Sequence, residues 1–287
     1  MIPSFIITFR ETLEAALIVG IVLGYLARTK QTKYNNVVYA GIASAILASI
    51  VGAFLFTNLA GGFTGRAEEL FEGIVMLIGA SLLTTMILWM MKQRHIATEL
   101  QDRVATEVAE AHPFGLFSLI FVAVLREGIE TVIFLGAASF VSTDNSLIGA
   151  IAGILAAMLL GYAIFAGSMR INLKKFFNIT SILLILFAAG LVAQGVHELQ
   201  EAGIIPTVIE HVWSINPPPN PDGSYPPLHE NGYVGSILKG LFGYNGDPSL
   251  IEVLTYSLYL LLVFVWWRRE ESVHKVTELR DTGARIG

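Results

Sequence analysis

The sequence contains no cysteine. That excludes disulfides, thiolate metal sites and cysteine nucleophiles. Charge is scarce as well: Asp, Glu, Lys and Arg make up 14% of the 287 residues, against 54% hydrophobic, and the mean hydropathy is +0.65. This balance excludes an ordinary soluble domain and points to a polytopic membrane protein. Proline is nearly missing from the apolar runs, since eight of the ten prolines fall within 203–249, including Pro217, Pro218 and Pro219. There is no glycine-rich phosphate loop, no Ser/His/Asp arrangement and no basic patch suited to nucleic acid. A basic leader is also lacking: Met1-Ile2-Pro3 runs straight into the first apolar segment, so no cleavable signal is expected.

What is present is a series of long apolar runs. Seven spans are predicted, at about 3–27, 37–59, 70–91, 114–141, 147–169, 177–199 and 250–267, each near the ~20 residues that cross a bilayer. Basic residues fix the orientation, because cytoplasmic loops collect Lys and Arg. Arg28, Lys30 and Lys33 follow span 1; Lys92, Arg94 and Arg103 follow span 3; Arg170, Lys174 and Lys175 follow span 5. Arg268, Arg269, Lys275, Arg280 and Arg285 follow span 7. Fourteen of the eighteen basic residues thus lie on one side, with only Arg66 and Lys239 on the other and Arg10 and Arg126 within spans. The N-terminus is expected outside and the C-terminus inside.

Two of the spans carry nearly the same charged motif. Arg10-Glu11-Thr12-Leu13-Glu14 is followed, after five intervening residues, by Gly20, and Arg126-Glu127-Gly128-Ile129-Glu130, after five intervening residues, by Gly136. Both fit R-E-x-x-E-x5-G. A charge at the bilayer centre costs roughly 2.5–3.5 kcal/mol even on a lenient scale, so six at such depth call for a functional explanation. On a helix the two glutamates of each motif share a face at i, i+3, and each arginine reaches the second glutamate at i, i+4. Mutual pairing of Arg10 with Glu14 and Arg126 with Glu130 would lock spans 1 and 4 together, but it leaves Glu11 and Glu127 in excess. The two motifs carry a net charge of −2 that protons or a cation must balance. Carboxylate oxygen is a hard donor suited to hard cations; copper(I) would want cysteine or a methionine array, and Met86 and Met90 alone read as packing.

The motifs also mark an internal repeat. Small residues recur every fourth position in span 2 (Gly41, Ala45, Ser49, Ala53) and in span 5 (Gly149, Gly153, Ala157, Gly161). Alone, such ladders are ordinary close packing of membrane helices. Beside the doubled charged motif they indicate two copies of three spans, repeat A over about 1–91 and repeat B over about 114–199. An odd number of spans inverts the second copy, a plan that sets a substrate site near the midplane.

Two acidic clusters fall at the outer face: Glu68, Glu69 and Glu72 open span 3, and His197, Glu198 and Glu201 close span 6. One reading is plain solvated helix ends, with Glu68 and Glu69 suiting a helix N-terminus. The other reading is a cation funnel. The external loop 203–249 contains an apolar stretch, Tyr233–Tyr244, too short to span and expected to be an interfacial helix. Glu210, His211, His229 and Glu230 in that loop read as incidental neighbours. The stretch 92–113 reads as a solvated cytoplasmic helix, and 268–287 as a cytoplasmic tail.

With these motifs the chain resembles the oxidase-dependent iron transporter family, which comprises the fungal high-affinity iron permeases and bacterial EfeU-type iron permeases. The paired R-E-x-x-E motifs in spans 1 and 4 carry the resemblance, together with the run from Leu241 to Tyr259 that leads into the last span. Thr12 stands at a spacer position where the family usually has Gly. The resemblance implies a single permease domain over 1–287, with iron as transported substrate and no prosthetic group. It implies metal binding by Glu11, Glu14, Glu127 and Glu130, supported by Arg10 and Arg126. It implies residence in the bacterial inner membrane and partnership with a periplasmic iron-binding protein or an oxidase or peroxidase. A carrier for another divalent cation such as Mn or Pb, a proton-coupled organic-cation carrier and an intramembrane metalloenzyme remain open alternatives; against the last stands the lack of an intramembrane His cluster or nucleophile.

Overall fold

The computed structural model describes residues 1–92, 96–110, 112–141, 146–166 and 173–283, with the side chains of 91–99, 146, 166, 173–175 and 270–283 excepted. Among the described residues it is all helix, without strands: α1 (Ile2–Arg28), α2 (Asn35–Ala60), α3 (Arg66–Lys92), α4 (Ile96–Ala109), α5 (Pro113–Val141), α6 (Ser146–Ala166), α7 (Leu173–Glu201), α8 (Tyr233–Phe242) and α9 (Leu250–Gly283). Of the topology-setting basic residues, Arg94, Arg170 and Arg285 lie outside the described residues, as do the side chains of Lys92, Lys174, Lys175, Lys275 and Arg280.

Local sequence sets the helix ends. Proline occupies the first turn of α1 and opens α5, where its missing N–H costs no hydrogen bond. The first helix stops at Lys30, which adopts a left-handed φ of 56°, while Gln31 N–H reaches back to the Leu26 carbonyl. Gly243 takes a φ of 68° at the end of α8, a conformation that glycine adopts without penalty. The last long helix opens with a capping box: Ser249 N–H donates to Glu252 Oε1 at 3.0 Å and Glu252 N–H to Ser249 Oγ at 3.3 Å.

Among the described residues, five helices are long and apolar enough to cross a membrane: those over Thr32–Ala60, Arg66–Met90, Leu147–Phe165, Phe176–Glu201 and Leu250–Arg269. The first and fifth helices are as long, at 27 and 29 residues, but each carries an arginine and two glutamates, which removes them from a count by apolar composition. Large apolar side chains are exposed along α2 (Leu47, Phe54), α6 (Leu159, Tyr162) and α9 (Leu258, Leu261). A water-soluble protein would bury such stripes; hydrocarbon makes their exposure favourable.

The helices interleave. Most of the packing of α1 is against α6 and most of that of α2 is against α5, while α3 packs on α7 and α1 on α5. Each motif-bearing helix thus lies against the helix that follows the other motif-bearing helix. The small-residue ladders make this possible. Gly41 meets Ile120 of α5, Gly153 meets Phe5 and Thr8 of α1, and Gly161 meets Ala16. Thr8 donates to the Ala150 carbonyl at 2.9 Å across the same seam. The glycine closing each charged motif is spanned by an aromatic ring from the partner helix: a Cβ at Gly20 would overlap Phe165 of α6, and one at Gly136 would overlap Phe56 of α2.

Two apolar clusters fill the interior. One joins Met76, Leu83, Phe134, Leu184 and Leu191 of α3, α5 and α7; the other joins Val22, Leu26, Val38, Leu116 and Ile120 of α1, α2 and α5. The second cluster also takes Val104 of α4, which is fully buried, with Leu100 and Val108 beside it. The expectation of a plainly solvated helix over 92–113 therefore needs refinement: α4 turns one apolar edge onto α1 and α5. The short α8 occupies the predicted interfacial stretch and rests on α7 and α1, with Gly240 against Pro3.

Candidate functional site

The six motif charges lie where α1 and α5 pack together. On α1, Arg10 and Glu11 are both fully buried. Arg10 Nη1 donates to Glu11 Oε1 at 3.1 Å, and Nη2 lies 3.1 Å from Glu14 Oε1. The same guanidinium donates to two thioether sulfurs of α3, Met86 Sδ at 3.1 Å and Met90 Sδ at 3.7 Å. The methionines read as packing in the sequence thus have a polar duty. A thioether is a weak acceptor without charge, so it steadies the arginine without drawing it away from the carboxylates.

From α5, Glu127 enters the same space. Glu11, Glu14 and Glu127 each present an oxygen within 4.8 Å of the other two, and among the described residues no other group of three metal-binding side chains gathers in this way. Glu130 is placed differently. Arg126 Nε donates to Glu130 Oε1 at 2.7 Å, and the guanidinium lies 5.2 Å from the ring centroid of Trp89 on α3. The Arg126 side chain is 47% exposed, whereas that of Arg10 is wholly buried. The two motifs are alike in sequence and unlike in use: Arg10 forks between two carboxylates, and Arg126 holds one at the edge of the bundle.

Each of the four glutamates keeps one buried oxygen without a hydrogen-bond partner: Glu11 Oε2, Glu14 Oε1, Glu127 Oε2 and Glu130 Oε2. The contact of Glu14 Oε1 with Arg10 is therefore a charge contact without hydrogen-bond alignment. Buried carboxylate oxygens left in this condition are costly, and a metal ion is the partner that satisfies several at once.

The outer clusters form a separate layer. Glu68 and Glu69 lie in the first turn of α3. Glu72 has Glu68 and Glu198 as electrostatic neighbours, and Glu198 also faces Glu69. His197 bridges two carboxylates, with Nδ1 3.0 Å from Glu252 Oε1 and Nε2 3.2 Å from Glu201 Oε1. Gln194 donates to Glu198 Oε1 at 3.1 Å, and Asn245 donates to Glu252 Oε2 at 2.7 Å. Both imidazole nitrogens are thus engaged, and the cluster is an ion-paired rim rather than a converged ligand set. Glu252 joins this cluster without standing out in the sequence, where its only signal is the capping box Ser249-x-x-Glu252. Gly73 and Gly195 were also missed, although they let α3 and α7 cross within this rim. In the loop, His211 lies 3.0 Å from Asp247, and Glu230 accepts from Asn216 and Gly246, so the loop acids and histidines tie the loop to itself.

These features define a polytopic helical membrane protein with carboxylates gathered around a buried arginine. The model of the iron permease FTR1 family matches residues 1–273, and the chain belongs to that family. It is similar to the ferrous iron permease EfeU of Yersinia pestis, with 34% identity over 266 residues that cover 91% of each chain. The ferrous iron permease EfeU of Escherichia coli O6:H1 is 35% identical over 272 residues, 92% of this chain and 94% of the relative. No solved structure matches the chain.

Proposed function

We propose that the protein carries iron across the membrane into the cytoplasm, with Glu11, Glu14 and Glu127 as the ion-binding group at the midplane. The observation that carries this reading is the convergence of three carboxylates within 4.8 Å, each with a buried oxygen that lacks a hydrogen-bond partner. The similarity to ferrous iron permeases over nine-tenths of the chain supports iron as the cargo and a transporter rather than an enzyme. Carboxylates suit ferrous and ferric ions alike as hard donors.

The interleaved packing supports seven spans arranged as a 3+3 inverted repeat plus α9. In such an arrangement α1 corresponds to α5, α2 to α6 and α3 to α7, and the pairing of α1 with α6 then mirrors that of α5 with α2. The motif glycines Gly20 and Gly136, each under an aromatic ring of the opposite repeat, fit the same two-fold relation. The positive-inside bias supports an outer N-terminus and an inner C-terminus in the bacterial inner membrane. The acidic rim would then gather cations from outside.

Uptake by proteoliposomes from a panel of ions tests the proposal. Iron-dependent accumulation that is lost in Glu11→Gln is the expected result. Uptake of an organic cation without any metal binding by the purified protein would overturn it.

A further inference from the structure

One turn of α3 touches both intramembrane arginines. Met86, Trp89 and Met90 stand at i, i+3 and i+4 and so share one face. The two sulfurs take the buried Arg10, and the indole ring takes the half-exposed Arg126. The consequences for the carboxylates differ. Arg10 stays among Glu11 and Glu14, whereas Arg126 holds Glu130 by a 2.7 Å hydrogen bond to Oε1, and Glu130 is not one of the three converged carboxylates although it lies close enough to act on all of them electrostatically. The other oxygen of Glu130 is buried and lacks a hydrogen-bond partner. Glu130 lies one turn along α5 from Glu127, so it can reach the triad once released.

We infer that Trp89 is a positioning residue of the transport site: by stacking on Arg126 it holds the Arg126–Glu130 pair closed, and it thereby sets how often Glu130 joins Glu11, Glu14 and Glu127 as a fourth ligand. This rests on the triad being the iron site. The device works through numbers of ligands. With Glu130 withheld the cation has three carboxylates and leaves readily; with Glu130 joined it has four and is held. An indole face is well suited to this duty. It attracts a guanidinium through its ring electrons, yet it offers no oxygen that would bind the cation itself. The exposure of Arg126 sets the latch at the edge of the helix bundle. Aliphatic replacement of Trp89 removes the stacking. Arg126 then samples other rotamers, Glu130 is freed more often, and iron is held longer.

The test uses the full chain in lipid nanodiscs and proteoliposomes, with ferrous iron alone under anaerobic conditions. Trp89→Leu is expected to bind iron more tightly by about two- to five-fold, the range of a partly exposed cation–π contact, and to lower the maximal uptake rate by a similar factor. Trp89→Phe, which keeps a ring face, is expected to restore most of the wild-type behaviour. A merely structural role predicts the opposite split, with weaker binding and slower uptake together in both variants, and that result overturns the inference. Unchanged binding and rate in Trp89→Leu also overturn it. If the Leu variant fails to insert, fluorescence decides. In a Trp213→Phe, Trp266→Phe, Trp267→Phe background, Trp89 is the sole indole, and ferrous iron should alter its emission in the wild-type motif but much less in Arg126→Gln; an equal response in both sinks the latch. Wild-type iron binding that Glu11→Gln abolishes, together with a silent Trp89, removes the latch and leaves the iron site standing. Complete absence of iron binding removes both.

Discussion

Gly73 and Gly195 meet face to face where α3 crosses α7. A methyl group on Gly73 would sit 2.9 Å from the Gly195 carbonyl oxygen, and one on Gly195 would sit 3.0 Å from that of Gly73. The obstacle is backbone on both sides, so neither helix can yield by turning a side chain. Gly73 follows Glu72, and Gly195 lies three residues before Glu198, so this crossing sets the spacing of the acidic rim. Gly73→Ala and Gly195→Ala should each destabilise the protein by about 1–3 kcal/mol, the usual cost of overpacking. Thermal unfolding in detergent measures this; unchanged melting in both would show that the helices separate freely.

The three converged carboxylates and the withheld one should rank differently. Glu11→Gln, Glu14→Gln and Glu127→Gln should each weaken iron binding by more than the ~10–100-fold typical of losing an outer partner of a metal ligand. Glu130→Gln should cost less affinity while still reducing turnover. Removing a buried charge does not oppose insertion, so surface expression should hold. Titration of each purified variant gives the ranking, and an equal loss for all four would return Glu130 to the resting ligand set.

The arginines should also rank. Arg10 contacts Glu11, Glu14, Met86 and Met90 at once, which needs a planar fork. Lysine is a point charge and cannot span that set. Arg10→Lys should therefore lower iron uptake by about 10–100-fold, as for a lost orienting partner. Arg126→Lys, with one carboxylate to hold, should be the milder change. Equal uptake by both variants, measured in proteoliposomes, would reduce the arginines to charge balance.

Much of this arrangement was legible in the sequence. The doubled R-E-x-x-E-x5-G motif named the six charges that gather where α1 meets α5, and the apolar runs named the long helices to within a few residues, except that α9 continues to Gly283, past the predicted end at 267 and into the stretch expected as a tail. The ladders from Gly41 and Gly149 announced close packing but not its partner. Which helix fills a groove is decided by the shapes of both surfaces, and Phe165 over Gly20 is a contact 145 residues apart. The unequal use of Arg10 and Arg126 was illegible for the same reason. It arises on α3, where Met86, Trp89 and Met90 read as ordinary apolar residues until the arginines are brought to them. Glu252 was concealed by position, since a carboxylate at a helix start has a local duty as a cap and shows its link to His197 only in three dimensions.

The rim should act on capture and not on the inner step. Neutralising Glu68, Glu69, Glu198 and Glu201 together should raise the half-saturating iron concentration and flatten its dependence on ionic strength, because the lost effect is long-range attraction that salt already screens. The maximal rate should stay near that of the unmodified chain. Uptake kinetics at low and high salt provide the measurement. A fall in maximal rate at unchanged half-saturation would put these residues on the transport path itself.

Protons should compete with iron at the triad. Glu11, Glu14 and Glu127 converge with one buried guanidinium, that of Arg10, lying against the first two, so full ionisation without a cation would leave two uncompensated negative charges in the interior. Protons can fill that deficit in the empty site, and an arriving cation must then displace them, because only the deprotonated carboxylate is a ligand. The sign follows directly. Binding releases protons, so affinity is greatest at the alkaline end and falls on acidification, by about ten-fold per pH unit for each proton released. Titration calorimetry in two buffers of different ionisation enthalpy counts those protons, here between about pH 7.5 and about pH 5.5. A count of zero across that interval would mean that the carboxylates stay ionised around Arg10 in the absence of iron, and the charge deficit would need another source of compensation.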